Sequence, residues 1–256
     1  EPYSIPRLGD EETVDKLQAL RLYDQYRDLI TTAPLEIIYS GSAELDRVRQ
    51  ALAAAFATLP REEVRTIADA VPHVCRESVQ TVEDEMEVTQ GKLSMGFSCG
   101  SDDMPALLLG NTLFGGSSNS KLFLNVREKL SLCYYASSMY HRQKGIITVS
   151  SGIEFQNYQR AYDEILSQLA AVQNGELEEW ELAGARSTLL NSYATVGDSQ
   201  GKLENFYLGQ AATGRSETPA DLAQAVMEVS AERICRAMST VKLDTVYFLK
   251  GKEAQA

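Results

Sequence analysis

Two polar side chains, Arg127 and Tyr134, stand seven positions apart in the stretch from Asn111 to Tyr140. Arginine presents a rigid fork of N–H donors, and tyrosine presents a phenolic O–H group. Together they suit a peptide carbonyl, a carboxylate or a developing oxyanion. The alternative is structural: Arg127 pairs with a nearby acid, and Tyr134 packs with its hydroxyl at the surface.

The residues around this pair predict the elements that position it. An apolar helix ends at Gly115 and Gly116, a loop of serine and asparagine follows, and a second helix carries Arg127. A strand then begins near Cys133. A helix-to-strand turn of this kind can aim both polar side chains at one place, with Gly115, Gly116 and Ser117 as loop residues near the site.

The second helix combines a predicted buried face with a basic flank. Arg127 lies four residues after Phe123 and flanks that face, which consists of Leu122, Phe123, Val126 and Leu130. Between Gly115 and Gly145 five basic residues face one acidic residue: Lys121, Arg127, Lys129, Arg142 and Lys144 against Glu128. This local positive charge fits either a binding site or a solvated helix flank.

The composition bounds the protein's class. At 256 residues, with 44% hydrophobic and 23% charged residues, the chain is long enough for one large or two ordinary domains. A net charge of −12 argues against nucleic acid and anionic membranes as partners, because both are bound mainly through basic residues. No apolar run approaches the roughly 20 residues of a membrane helix, and no signal-peptide pattern is present.

The cysteine pattern bears on the compartment. The four cysteines are far apart and form no C-x-x-C motif; they are Cys75, Cys99, Cys133 and Cys235. This spacing predicts reduced core thiols in a reducing, cytoplasmic compartment.

The apolar periodicity predicts an α+β fold, an antiparallel sheet with helices packed on one face. Residues 79–252 have the order β-β-α-α-β-β-α-α-α-α-α-β, with Gly152 marking a bulge or a close backbone approach. Residues 61–78 resemble a linker. Residues 1–60 read as helix, short strand and helix, with the strand at Leu35–Ser40 and Ser42 as the cap of the following helix. A single strand needs neighbours, so residues 1–60 are predicted to be the tail of a larger domain.

Complete catalytic machinery is absent from the sequence. The two histidines, His73 and His141, lack the spacing that places two metal ligands on one helix face. No G-x-S-x-G elbow or P-loop is present, since the run beginning at Gly115 lacks the G-K-S/T ending. We therefore expect no catalytic residue and no tightly bound metal in this chain.

The stretch FGGSSNSKLFLNVREKLSLCYYASS resembles the second-half signature of the insulinase/pitrilysin-like zinc metallopeptidases, which include the mitochondrial processing peptidase. The family pattern is a Gly-rich loop followed by S-x-L-F/Y-x-x-V/L-R-E-K-x-G-L-x-Y-x. The matching positions are Ser120, Leu122, Phe123, Arg127, Glu128, Lys129, Leu132 and Tyr134. Ser131 stands where the pattern usually has glycine.

The resemblance implies two homologous halves that close around a peptide. The first half holds the H-x-x-E-H zinc motif and the catalytic glutamate; the second supplies an arginine and a tyrosine that contact substrate near the metal. On this basis residues 1–60 would end the first half and residues 79–252 would form the second. Arg127 and Tyr134 would bind substrate, and zinc is expected only in a partner or a missing N-terminal half.

Three functions follow from the resemblance. The first is a non-catalytic, peptide-binding half that acts with a zinc-bearing half or partner subunit in peptide or protein processing. The second is a fragment of an active zinc endopeptidase whose H-x-x-E-H half is missing. The third is a purely structural interaction subunit; runs such as LEIIYSG and MEVTQGKLSMGF resemble a bacterial group linked to modification of elongation factor P.

Overall fold

The computed structural model of the chain describes residues 5, 8–65 and 72–252. The chain divides into two compact units. One unit comprises Glu1–Asp69 with Tyr207–Thr213, and the other comprises Ala70–Phe206 with Gly214–Ala256.

The first unit contains three helices from the N-terminal part of the chain: α1 (Glu11–Asp15), α2 (Ala19–Thr32) and α3 (Leu45–Phe56). The region before the predicted strand thus forms two helices, α1 and α2, rather than one. Asp10 caps α1 by accepting a 2.8 Å hydrogen bond from the backbone N–H of Thr13. The prediction that Ser42 caps the next helix was wrong, because α3 has Glu44 at its N-cap with no side-chain cap hydrogen bond.

The predicted strand at Leu35–Ser40 was also wrong, because residues 34–40 belong to no ladder within the described part of the chain. A run of β-favouring residues becomes a strand only when a neighbour satisfies its backbone groups. A local turn forms here instead. The hydroxyl oxygen of Tyr39 accepts a 2.8 Å hydrogen bond from the backbone N–H of Ala43.

Residues 61–65, predicted as the start of a linker, are fastened to the end of α2. The guanidinium of Arg61 donates to the carbonyl oxygens of Ile30 and Ala33. Arg65 forms a two-pronged pair with Asp28, at 2.6 and 2.9 Å. Arg61 thus satisfies carbonyls that a helix C-terminus leaves without partners.

The apolar stripes of this first unit lie largely at the surface. Thr32 is the one buried residue on α2, and α1 and α3 have none. Five apolar or aromatic residues of α2 are each more than half exposed: Leu20 79%, Leu22 56%, Tyr23 58%, Tyr26 56% and Leu29 61%. An amphipathic helix gains most of its stability by covering such a face.

The second unit is built on a five-stranded sheet with the order β1-β5-β2-β4-β3. The strands are β1 (Gln80–Met86), β2 (Gly91–Cys99), β3 (Cys133–His141), β4 (Ile146–Ile153) and β5 (Val241–Gly251). Neighbouring strands are antiparallel except β1 and β5, which run parallel with Gln80 opposite Thr245. The predicted α+β class is confirmed, and this one parallel pair departs from an all-antiparallel sheet.

Helices cover one face of the sheet, in the predicted order. They are α4 (Met104–Asn111), α5 (Tyr158–Gln173), α6 (Glu179–Ala194), α8 (Pro219–Met227) and α9 (Ala231–Met238), with the π-helical segments π1 (Thr112–Gly116) and π2 (Leu122–Lys129) after α4. Between α6 and α8 the chain forms α7 (Gln200–Ala212), whose residues 207–212 belong to the first unit. Leu93, Met95 and Phe97 of β2 point into the core under these helices. The ring of Phe97 meets that of Phe114 edge-on, with the centroids 6.2 Å apart. The described helices include none long and apolar enough to cross a membrane.

Asp244 on β5 fastens the segment before β1 to the sheet. Its carboxylate lies 2.9 Å from Nε2 of His73 and accepts hydrogen bonds from the backbone N–H of Arg76 and the hydroxyl of Thr245. Burial acts to raise the pKa of Asp244, but these hydrogen bonds and the nearby His73 together lower it from 3.8 to about 2. The ionised carboxylate therefore stabilises the fold.

Replacing Asp244 with asparagine is expected to lower the free energy of unfolding by about 2 kcal/mol at pH 7. Because the pKa of Asp244 is depressed in the folded state, its contribution is present above about pH 4 and is lost as the pH falls towards 2. Urea unfolding between pH 7 and pH 2 should thus show a weaker acid dependence in the variant. The exposed control Asp102→Asn should retain the wild-type profile.

Candidate functional site

Strand β3 forms one edge of the sheet and carries Tyr134 at a bulge. Cys133 pairs with Ile153 and Tyr135 pairs with Gly152, so Tyr134 is an extra residue without an opposite partner on β4. A bulge re-aims side chains and bends the strand. Tyr134 and Tyr135 are consequently both exposed, at 58% and 39%.

The segment between α4 and β3 winds in wide π turns that flank the loop at residues 117–121. π-Helical turns are uncommon and recur at functional sites. Gly115, the last but one residue of π1, lies against β3; a Cβ there would lie 2.8 Å from the backbone nitrogen of Ser138. A side chain at position 115 would therefore push the loop away from the strand.

Ser131 joins π2 to β3 in the left-handed backbone region, with φ 49°. The backbone N–H of Leu132 donates back to the carbonyl of Val126 at 3.0 Å, a closing bond typical of helix ends. Glycine adopts this conformation without strain, so the structure explains why the family pattern has glycine at this position.

Replacing Ser131 with glycine is expected to raise the free energy of unfolding by about 0.5–1 kcal/mol, because relief of the left-handed strain exceeds the added entropy of the unfolded chain. Ser131→Val should destabilise the protein by about 1–2 kcal/mol, since a β-branched residue tolerates positive φ poorly. Urea unfolding measures both. A Gly variant less stable than the wild type would contradict this assignment.

A concavity of about 690 Å³, here called the β3 groove, follows the edge strand. Its floor includes Ser137 and Met139 of β3 with their cross-strand partners Ser150 and Thr148 of β4. The full lining is Gly115, Gly116, Ser117, Ser118, Phe123, Arg127, Tyr135, Ala136, Ser137, Ser138, Met139, His141, Thr148 and Ser150. All three predicted loop residues thus line the groove.

Arg127 stands at the rim of the β3 groove. Its guanidinium carbon lies 4.7 Å from the centroid of the Phe123 ring, a stacked cation–π contact. Its Nη1 atom is 3.6 Å from a carboxylate oxygen of Glu128, and the side chain is 40% exposed. The ring fixes the direction of the guanidinium while leaving its N–H donors accessible.

A second concavity of about 450 Å³, here called the Tyr134 pocket, shares Arg127 with the β3 groove. It is lined by Arg127, Glu128, Ser131, Leu132, Cys133, Tyr134 and Glu154. Arg127 and Tyr134 therefore border one concave space, as the helix-to-strand turn predicts. The phenolic hydroxyl of Tyr134 donates a hydrogen bond to Glu154, and this bond and the negative charge of Glu154 raise the pKa of Tyr134.

The predicted positive surface is largely paired. Lys121 is 7% exposed, and its ammonium lies 3.0 Å from both carboxylate oxygens of Glu181 on α6. Arg142 pairs with Glu217 at 3.2 Å, and Lys144 is buried. The description as a solvated flank was wrong for Lys121 and Lys144, because both side chains are buried.

Several residues of the site were missed by sequence reasoning. Glu154 belongs to no sequence motif, and it lies near Tyr134 only because β3 and β4 pair. Lys92 of β2 lies 5.3 Å from the Tyr135 ring centroid. The signal that did exist was Gly152, where a Cβ would lie 2.5 Å from Cε1 of Tyr135. Gly152 was predicted to mark a bulge or a close backbone approach; a bulge lies beside it on the paired strand β3, and its close neighbour is the side chain of Tyr135.

The donor groups were also compared with the needs of a metal ion. Within the described residues, no three histidine, cysteine, aspartate or glutamate side chains form a group that could hold one. His73 is bonded to Asp244, and Nε2 of His141 lies 3.0 Å from the hydroxyl of Thr148. The four cysteines are free and partly exposed, rather than fully in the core as the sequence predicts.

Comparison with known proteins gives a consistent result. The model of the family described as peptidase M16 inactive domain matches residues 16–189. A curated relative, the probable inactive metalloprotease YmfF of Bacillus subtilis (strain 168), is 36% identical over 259 residues, covering 99% of this chain and 60% of the relative.

Solved structures resemble the chain over nearly its whole length. A conserved protein from Enterococcus faecalis V583 aligns with a TM-score of 0.86 at 26% identity, covering 98% of this chain and 60% of that one. A peptidase M16 inactive domain from Pseudomonas fluorescens aligns with a TM-score of 0.77 at 16% identity, covering 100% and 63%. The chain thus spans about three fifths of the length of these relatives.

Proposed function

The chain belongs to the peptidase M16 inactive-domain family, and on that premise we propose that it is the non-catalytic, peptide-binding half of a peptidase homologue. It acts beside a zinc-bearing half or partner subunit in peptide or protein processing. Its own residues bind and orient an extended polypeptide.

The observation that carries the proposal is the free edge of β3 beside the β3 groove. In the described sheet, β3 pairs only with β4, so its other edge presents backbone donors and acceptors. An extended peptide can add to such an edge as a further strand, with main-chain hydrogen bonds supplying affinity. The groove provides the space, and Arg127 stands at its rim.

The groove also offers side-chain selectivity. The residues of β3 that face it alternate between large and small, with Tyr135 and Met139 on either side of Ser137. Apolar side chains of a bound peptide would pack against Tyr135 and Met139, which are 39% and 62% exposed. The guanidinium of Arg127 donates to a peptide carbonyl or carboxylate.

The first unit is the basis for proposing a partner half. We assign residues 1–60 to the tail of a homologous first half, residues 61–78 to a linker and residues 79–252 to the second half. The exposed apolar stripe of α2, including Leu22 and Tyr26, supports this assignment because it needs a covering surface. The four free thiols support a reducing, cytoplasmic location.

The name of the curated relative favours this function over an active endopeptidase fragment, since that protein is described as probably inactive. The zinc motif remains an expectation for a partner or for a preceding half. An H-x-x-E-H motif within the same full-length protein would favour the active endopeptidase.

The proposal is tested by measuring the binding of fluorescent, unstructured peptides. Their length of about ten residues matches the length of β3. Fluorescence anisotropy should show saturable binding to the wild-type chain. The same peptides are then methylated on every second backbone nitrogen. In one of the two possible methylation registers the affinity should fall at least about tenfold, because the N–H groups that donate to β3 are lost.

The opposite methylation register serves as the matched control, since its modified nitrogens point away from β3. Equal affinities for both registers would rule out strand addition. No saturable binding by any peptide would overturn the proposed function itself.

A further inference from the structure

Glu154 decides which hydrogen-bonding role remains for the hydroxyl of Tyr134. An ionised carboxylate can only accept, so the single phenolic proton of Tyr134 is committed to Glu154. The phenolic oxygen then offers only acceptor lone pairs to a third group. A peptide carbonyl, which requires a donor, is therefore poorly matched to Tyr134 while Glu154 is ionised.

The backbone holds these two residues together. Glu154 directly follows Ile153, the β4 residue that pairs with Cys133. Tyr134 is the extra residue of the bulge, so its side chain is turned towards this end of β4. The pairing register of β3 and β4, with its bulge, thus makes the hydroxyl of Tyr134 a hydrogen-bond acceptor for any third group.

The charges of the two concavities differ. The Tyr134 pocket is lined by one cation, Arg127, and two carboxylates, Glu128 and Glu154, giving a net charge of −1. The stacking partner of Arg127, Phe123, lines the β3 groove and not the Tyr134 pocket. Among its described residues, the β3 groove is lined by Arg127 and His141 but by no carboxylate. The two spaces therefore favour groups of opposite polarity.

We propose that the Tyr134 pocket takes the cationic side chain of a lysine or arginine from a peptide lying along the β3 groove. This rests on the proposed function and adds a substrate class to it. The cation donates to the second carboxylate oxygen of Glu154 and to the phenolic oxygen of Tyr134, while neutral or acidic parts of the peptide lie nearer Arg127. Glu154 is then a specificity-determining residue.

The test starts from a peptide that binds. Lysine, arginine, glutamine or glutamate is placed at one position of this peptide at a time, each position is tested in turn, and the affinities of the four peptides are compared. The wild-type chain should prefer lysine or arginine over glutamine about five- to tenfold at one position, the range of a charge-assisted hydrogen bond at a partly exposed site. Glutamate should bind more weakly than glutamine there. The preference should shrink as salt rises from 0.05 to about 0.5 M, because partly exposed charges are screened.

Two variants separate charge from shape. Glu154→Gln can still accept the Tyr134 hydrogen bond but lacks the charge, and should reduce the lysine-to-glutamine ratio to about twofold or less. Tyr134→Phe should reduce the ratio partially. Glu176→Gln is the matched control, since Glu176 is an exposed glutamate that lines neither concavity, and it should leave the ratio unchanged.

The outcomes distinguish the two proposals. Saturable peptide binding without any preference for a cationic residue would overturn the inference about the Tyr134 pocket and leave the proposed function standing. A preference that survives Glu154→Gln would place the cation elsewhere and also overturn it. Absence of all peptide binding would overturn both.

Discussion

Replacing Arg127 with alanine is expected to weaken binding of an extended peptide by about 10- to 100-fold, since hydrogen bonds to a charged group contribute roughly 1.5–3 kcal/mol. Arg127 lines both the β3 groove and the Tyr134 pocket, and its stacking on Phe123 already fixes its direction. Little side-chain freedom is therefore lost on binding, so most of the hydrogen-bond energy is retained. Fluorescence anisotropy with a bound peptide measures the change.

Two further variants sharpen this prediction. Arg127→Lys keeps the charge but loses the planar fork, so its affinity should fall between those of the wild type and Arg127→Ala. Lys129→Ala is the control, because Lys129 is an exposed cation that lines neither concavity. If Arg127→Ala binds peptide within twofold of the wild type, Arg127 has no role in recognition.

The second large effect is expected at Lys121 and Glu181. Replacing Lys121 with methionine should lower the free energy of unfolding by about 3–5 kcal/mol, because it leaves a buried carboxylate without its cation. The side chains of Lys121 and Glu181 are only 9% and 7% exposed. Urea unfolding is the measurement. Lys250→Gln is the control, because Lys250 is a cation with a 37% exposed side chain that pairs with Glu83 and Glu85 at the surface, and a loss below about 1 kcal/mol is expected for it.

The double variant Lys121→Met with Glu181→Leu identifies the origin of this loss. Removing both charges abolishes the uncompensated carboxylate, so most of the stability should return. Recovery should be incomplete by about 1 kcal/mol, because Glu181 also accepts a 2.9 Å hydrogen bond from the backbone N–H of Glu178 at the start of α6. A double variant as unstable as Lys121→Met would show that packing, rather than charge burial, explains the effect.

The order of elements in residues 79–252 was predictable because it depends on local patterns. Alternation in β2 places Leu93, Met95 and Phe97 inside, and the structure has these three residues fully buried. The isolated strand at Leu35–Ser40 failed for the opposite reason. Its composition favours a strand, but pairing depends on residues elsewhere, and the described chain supplies none.

The site was predictable in outline but not in its contacts. Arg127 and Tyr134 border one concave space because the chain reverses at Ser131 between π2 and β3, as the helix-to-strand turn predicts. Arg127 takes its partners Phe123 and Glu128 from its own segment π2, but the partner of Tyr134 comes from another strand. Glu154 follows β4, and no local period connects it to Tyr134. The bulge at Tyr134 and the π turns are likewise invisible to residue periodicity.

The parallel pairing of β1 with β5 has a consequence for synthesis and folding. Thr245 of β5 lies opposite Gln80 of β1, a separation of 165 residues (245 − 80). Because β5 is the one neighbour of β1 in the described sheet, β1 gains a partner only after residues 241–251 have left the ribosome. The acidic run of β1, Glu83, Asp84 and Glu85, carries the kind of charge that blunts an unpaired strand edge against association. The sheet can thus be completed only after the synthesis of β5, which lies between β1 and β2.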